Sequence, residues 1–179
     1  IQVMGPPPTS GTRDAFVELA MEEGCHSFPE YKDLSKDDAK VKCARMRQDG
    51  PFIEAGENDN LIVQRLESDK TAYGIFGYSF LYENADKLQG VKLNGVEVSF
   101  DTIADGSFPL SRPLFFYVKN AHRGVIPGLN EFVAEYVSDS AMGAGGYLHE
   151  RGLVSLSDEK RAELAKSVTE GMMMTRYGS

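Results

Sequence analysis

Gly5-Pro6-Pro7-Pro8-Thr9-Ser10-Gly11-Thr12-Arg13-Asp14 is the stretch on which the reading of this chain turns. Three prolines hold the approach extended. Behind them Phe16, Leu19 and Ala20 repeat at helical spacing, so a helix is predicted to start near Thr9 or Ser10 with a hydroxyl as its N-cap. The first backbone N–H groups of a helix lack intrahelical acceptors and lie where the macrodipole is positive, so an oxyanion fits there. Gly11 leaves room for a ligand close to the backbone, Ser10 and Thr12 add hydroxyl donors, and Arg13 offers a planar fork to two oxygens. The alternative reading of the same residues is an ordinary capped helix with Arg13 in solvent.

Outward from this motif, residues 1–4 read as a short strand feeding the turn, and Gly24 ends the first helical pattern. Ser35, with Asp38 three residues on, is predicted to cap a second helix running to about Arg47. After the break at Asp49-Gly50-Pro51, Asn58 or Asp59 caps a third helix carrying Leu61, Ile62 and Leu66 on one side. Asn58 and Asn60 are either caps or a second donor cluster. Residues 71–80, aromatic and β-branched, suggest a buried strand, and 81–88 a short helix. Val91, Leu93, Val96, Val98 and Phe100 alternate around Asn94-Gly95, the signature of a tight hairpin. Residues 113–118 read as an apolar strand buried on both faces. Helical spacing recurs at Leu129, Phe132, Val133, Tyr136 and Val137, and a last helix is expected from Ser157 with Leu164 and Val168 on one face. Met172 to Met174 are expected to fill a hydrophobic contact.

With 179 residues, 41% hydrophobic and 26% charged, the chain is globular and large enough for one core or two small lobes. No apolar run approaches the roughly 20 residues that span a bilayer. A net charge of -8 without a basic stripe argues against nucleic acid, but not against a small anion held by aimed donors at short range. No phosphate-cradling loop ends in Gly-Lys-Ser/Thr, and neither Gly-x-Ser-x-Gly nor His-Glu-x-x-His occurs. A cysteine phosphatase needs an arginine six residues after its thiolate, where Tyr31 and Asp49 stand. His26, His122 and His149 show no metal-ligand spacing with the cysteines. The reading is therefore a binding protein, with no enzyme activity, cofactor or metal expected. Cys25 and Cys43 are either two buried thiols or a loop-closing pair.

The motif Gly-Pro-Pro-Pro-Thr-Ser-Gly-Thr-Arg-Asp-Ala-Phe resembles the phosphate loop of periplasmic phosphate-binding proteins, the substrate-binding subunits of phosphate ABC importers. Three further stretches agree, in the family's order: 54–64, 74–81 and 103–114. The resemblance implies an α/β protein of the type II periplasmic binding class, a mixed sheet flanked by helices. It implies inorganic phosphate bound by Ser10, Gly11, Thr12 and Arg13, with Thr9, Asp14, Asn58 and Asn60 as further candidates. It also implies an exported, periplasmic protein whose signal peptide is not in this chain, a membrane permease as partner, and, from that oxidising compartment, a Cys25–Cys43 disulfide.

The chain departs from the family in two ways. Relatives often carry an arginine and an aspartate just upstream of Ser-Gly-Thr, where this chain has Pro6 and Pro8. Arg13 is expected to take that arginine's role, and Asp14 to pair with Arg13 or the helix dipole. Selectivity for phosphate over sulfate or another oxyanion then rests on the resemblance alone. The second departure is length: residues 1–112 correspond to the second, phosphate-loop lobe and 113–179 to the segment returning into the first. With one cleft wall absent, weak phosphate binding and association between copies are expected, and a ligand-free dimerisation module is the rival reading.

Overall fold

The structure is a computed structural model and describes residues 1–174. The chain divides into two compact units, Ile1–Arg112 and a second beginning at Pro113. The first is built on three parallel strands, β1 (Gln2–Gly5), β2 (Phe52–Glu54) and β3 (Ala72–Gly74), in the order β2-β1-β3. The α/β class is as expected. The antiparallel component of a mixed sheet is reduced to an isolated bridge, Leu93 to Val96, around Asn94 (φ 52) and Gly95 (φ 81).

Residues in register on parallel strands share a face, so Val3 and Phe52 lie on one side, and Met4 and Ile53 on the other. The Met4 side forms the core: Met4, Ala55 and Ile62 are buried, with Ile53, Leu66, Ala72 and Phe76 packed around them. Ile62 and Leu66 come from α4 (Asp59–Ser68), whose i, i+4 spacing aims both at the sheet. Gly74 is required here, because a Cβ would sit 2.6 Å from Leu66 and 2.9 Å from Ile62.

The Val3 side carries the first helix. α1 (Gly11–Phe16) continues without a break through a π-helical stretch, Val17–Glu22, into α2 (Glu23–Cys25). Gly24 therefore lies inside the helical run instead of ending it. α3 (Lys36–Lys42) is capped by Ser35, whose Oγ accepts from the Asp38 N–H at 3.1 Å. It stops at Cys43, short of the expected Arg47. Cys25 and Cys43, 18 residues apart, form a disulfide with their Cα atoms 6.0 Å apart.

The aromatic run 71–80 is strand only over β3 and then turns into α5 (Tyr78–Glu83). Helical spacing brings Tyr78 and Tyr82 together over Phe100, at 5.2 and 4.9 Å between ring centroids, which outweighs their strand propensity. Phe100 opens α6 (Phe100–Ala104), which has a capping box between Ser99 and Thr102.

In the second unit, α7 (Leu129–Tyr136), α8 (Asp139–Met142) and α9 (Asp158–Thr169) enclose a small core of Val133, Val137, Ala141 and Met142. Arg123 and Asn120 hold the end of α9, donating to Val168 O at 2.8 Å and Gly171 O at 2.7 Å. The expected strand at 113–118 is not formed among the described residues, and Leu114 and Tyr117 are 72% and 73% exposed. Without a neighbouring strand, this continuous apolar run has no sheet to enter. Met172 to Met174 are likewise exposed rather than packed. Residues 175–179 of the segment 113–179 lie outside the described residues.

Candidate anion site at the end of the central strand

The chain leaves β1 to reach β2 on one side, and leaves β2 through α4 to reach β3 on the other. The two connections cover opposite faces, so they diverge at the carboxyl ends of β1 and β2. Open α/β sheets bind ligands in the crevice at such a switch point. Residues 6–14 follow β1 there, and residues 55–59 follow β2.

Pro6 is fully buried, and Ser10 N–H donates to Pro7 O at 3.0 Å, a turn that presents the helix start. Ser10 is the N-cap, with extended backbone and Oγ accepting from Thr12 N–H at 3.2 Å. Gly11 is exposed, with nothing within 4 Å of where a Cβ would stand, while Ser10 and Thr12 are half-buried. The predicted helix start, cap and glycine are thus in place around one point. Ser10 uses one acceptor lone pair on the cap, a role that leaves its hydroxyl proton free to donate.

Arg13 is neither in solvent nor paired with Asp14. Its Nη1 lies 2.8 Å from Glu54 Oε1 and donates to Pro6 O at 3.4 Å, and its guanidinium sits 5.1 Å from the centroid of Phe52. Phe52 can approach because Gly5 has no side chain; a Cβ there would meet the ring at 3.1 Å. Thr9 Oγ1 donates to Glu57 Oε1. Both side chains flanking Ser10-Gly11-Thr12 are therefore engaged by carboxylates, one at the end of β2 and one in the segment after it.

Asp14 is exposed in the first turn of α1. It lines an open groove of about 480 Å³ with Glu18, Glu22, Arg13 and Lys40. Three carboxylates against two cations do not attract an anion, so the helix start, and not this groove, is the anion candidate. Asn58 caps α4, its Oδ1 accepting from Asn60 N and from Asn60 Nδ2, each at 3.0 Å. Asp59 accepts from Gly77 N–H at 3.3 Å. Burial pushes the Asp59 carboxyl up, the Gly77 bond pulls it back, and the charge of Glu57 adds to the rise.

Sequence reasoning missed Phe52, Glu54 and Glu57 as neighbours of the loop. β2 has only three residues and follows Pro51, so no periodicity marks it, although 54–64 was among the stretches carrying the resemblance. No group of three or more His, Cys, Asp or Glu capable of holding a metal occurs among the described residues. No helix among them is long and apolar enough to cross a membrane.

The parallel sheet with its helix start at the switch point is the architecture of a ligand-binding lobe. Residues 1–140 match the PBP superfamily domain, and the chain belongs to that superfamily. It is 34% identical over 132 residues to the phosphate-binding protein PstS of Staphylococcus haemolyticus (strain JCSC1435), covering 70% of this chain and 38% of that protein. It is 32% identical over 153 residues to the phosphate-binding protein PstS of Staphylococcus aureus (strain MRSA252), covering 80% and 43%. A solved structure, that of a possible phosphate binding protein from Planctomyces limnophilus DSM 3776, superposes with a TM-score of 0.56 at 26% identity, covering 96% of this chain and 54% of that one. The resemblance read from the phosphate-loop motif is borne out. The chain spans about two fifths of the length of the curated relatives it matches.

Proposed function

We propose that this chain binds inorganic phosphate as part of the solute-binding component of an ABC-type phosphate importer, with Ser10, Gly11, Thr12 and Arg13 as the ligand residues. The observation that carries the reading is the helix start at the switch point, where Ser10 caps, Gly11 leaves the backbone open and Arg13 is fixed alongside. Thr9 borders the site, and the start of α4, with Asn58 and Asn60, lies beside it in sequence order after Glu57. On this reading residues 1–112 are the phosphate-loop lobe, and those from 113 on belong to the segment joining it to another lobe. The protein acts outside the cytoplasmic membrane, where the Cys25–Cys43 bridge persists, and delivers phosphate to a membrane permease. Its role is binding and not catalysis.

The test is a titration with phosphate and, separately, sulfate, followed by calorimetry or chemical shifts. Phosphate is expected to perturb Ser10 to Arg13 and to bind more tightly than sulfate. Arg13→Ala should weaken it about tenfold through loss of a charge-assisted contact. Unchanged affinity in that variant, or perturbations elsewhere, refutes the assignment. A second reading, association between copies through the second unit, is favoured by the exposure of Leu114, Tyr117 and Phe132. Light scattering at the concentrations of the titration decides it, a strict monomer excluding it.

A further inference from the structure

Arg13 differs from a free surface arginine in one respect that bears on how the loop works. Its side chain is only 14% exposed, and three groups hold one end of it: Glu54 Oε1 and Pro6 O take the two Nη1 hydrogens, and the guanidinium carbon lies over the Phe52 ring. An anion at the start of α1 can then be met only by the hydrogens on Nη2 and Nε. Glu54 is at the carboxyl end of β2, 41 residues away in sequence, so the sheet itself sets where the fork points. Its carboxylate also offsets the arginine's charge, which leaves direction rather than net charge as what Arg13 contributes.

We propose that Glu54 is a positioning residue of the anion site, acting through Arg13: it anchors Nη1 and so leaves Nη2 and Nε for the anion. This rests on the phosphate reading above and goes beyond it, since it assigns a carboxylate a favourable part in binding an anion. A carboxylate that acted only by its charge would repel phosphate, and its removal would tighten binding. A positioning carboxylate gives the opposite sign.

The experiment is a double-mutant cycle with inorganic phosphate as the probe, run on the whole chain, with thermal melts establishing that each variant folds. Glu54→Ala, with Glu54→Ser beside it in case the first does not melt cooperatively, is expected to weaken phosphate binding about fivefold, the loss of roughly one charge-assisted contact's orientation. Glu54→Gln keeps an acceptor for Nη1 and should bind within about twofold of the unsubstituted chain or tighter. In an Arg13→Ala background, Glu54→Ala should change nothing. Equal losses in both backgrounds, a loss in Glu54→Gln as large as in Glu54→Ala, or tightening by Glu54→Ala each overturn the proposal while leaving the phosphate reading intact. Absence of phosphate binding by the unsubstituted chain overturns the phosphate reading, and this proposal with it.

Discussion

Replacing both Cys25 and Cys43 by alanine should destabilise the first unit without touching the proposed anion site. The bridge closes a loop of 18 residues, and the loop-entropy relation gives about 3 kcal/mol at 25 °C for that length. The unit spans Ile1–Arg112, and at roughly 2 cal/mol/K per residue its unfolding entropy converts this into a fall of about 10–15 °C in Tm. Alanine suits the buried Cys25, where a serine hydroxyl would need a partner. Cys25 closes the helical run that Gly11 opens, about 20 Å away along its axis, so phosphate affinity should stay within about twofold. The assay is a pair of thermal melts, of the variant and of the parent with and without reductant, with a phosphate titration on each. A fall of less than about 1 kcal/mol would refute the reasoning. It would mean that α3, through its buried Ala39, already holds the loop closed and the bridge adds little.

Three further outcomes are expected. Ser10→Ala should cost about 1 kcal/mol by denaturant midpoint because the cap to Thr12 N–H is lost, and Ser10→Gly only a few tenths; an unmoved midpoint in Ser10→Ala would show that the cap bond contributes nothing. Ile62→Ala empties a site with 0% exposure against Met4 and Ala55, and should cost about 2–5 kcal/mol in chemical unfolding, an unmoved midpoint counting against the core described above. For Asp59, burial raises the folded carboxyl above its unfolded value, so its contribution to stability is fully present below about pH 4 and lost as pH rises through the folded value. Asp59→Asn should therefore raise Tm at pH 7, with the gain vanishing below about pH 4; a gain that persists in acid would contradict the sign.

What could be read in the sequence is what depends on near neighbours in the chain. Ser10, Ser35, Asn58 and Ser157 are caps because a short polar side chain reaches an N–H two or three residues on; the pattern gave Ser35 as a cap, narrowed the first and third to Thr9 or Ser10 and Asn58 or Asp59, and started the last helix at about Ser157. Asn94-Gly95 likewise turns the chain by its own conformational preference, although the ladder beyond Leu93 and Val96 does not form. Residues 71–80 failed for a different reason. Aromatic residues favour strands in general, but here Tyr78 and Tyr82 meet Phe100, a partner about 20 residues further on that no local rule supplies. The environment of Arg13 was illegible on the same ground. The motif led to the fork and suggested Asp14, one residue away, as its partner; the sheet supplies Glu54 from a strand too short to show a period.

Those carboxylates fix the sign of a last effect, the response of binding to salt. Arg13, the cation of the loop, is accompanied by Glu54, while Glu57 and Asp59 follow on the neighbouring segment. The whole chain carries -8. A phosphate ion approaching from 15–20 Å, a range of order two Debye lengths at physiological salt, therefore meets net repulsion that salt screens. On the proposed assignment, a seated phosphate would be held by the N–H groups of the helix start and by Arg13 within about 3 Å, where mobile ions do not intervene. Salt thus weakens the opposing term more than the favourable one. Raising sodium chloride from about 10 to 150 mM, at fixed pH, should tighten phosphate binding by about threefold or more, mostly through faster association. Stopped-flow titration across that range reads both rate constants. A site held by exposed, uncompensated cations would weaken over the same range, as phosphate contacts on basic surfaces do. Weakening here would mean that Arg13 leaves Glu54 when the anion arrives and binds it as a free charge.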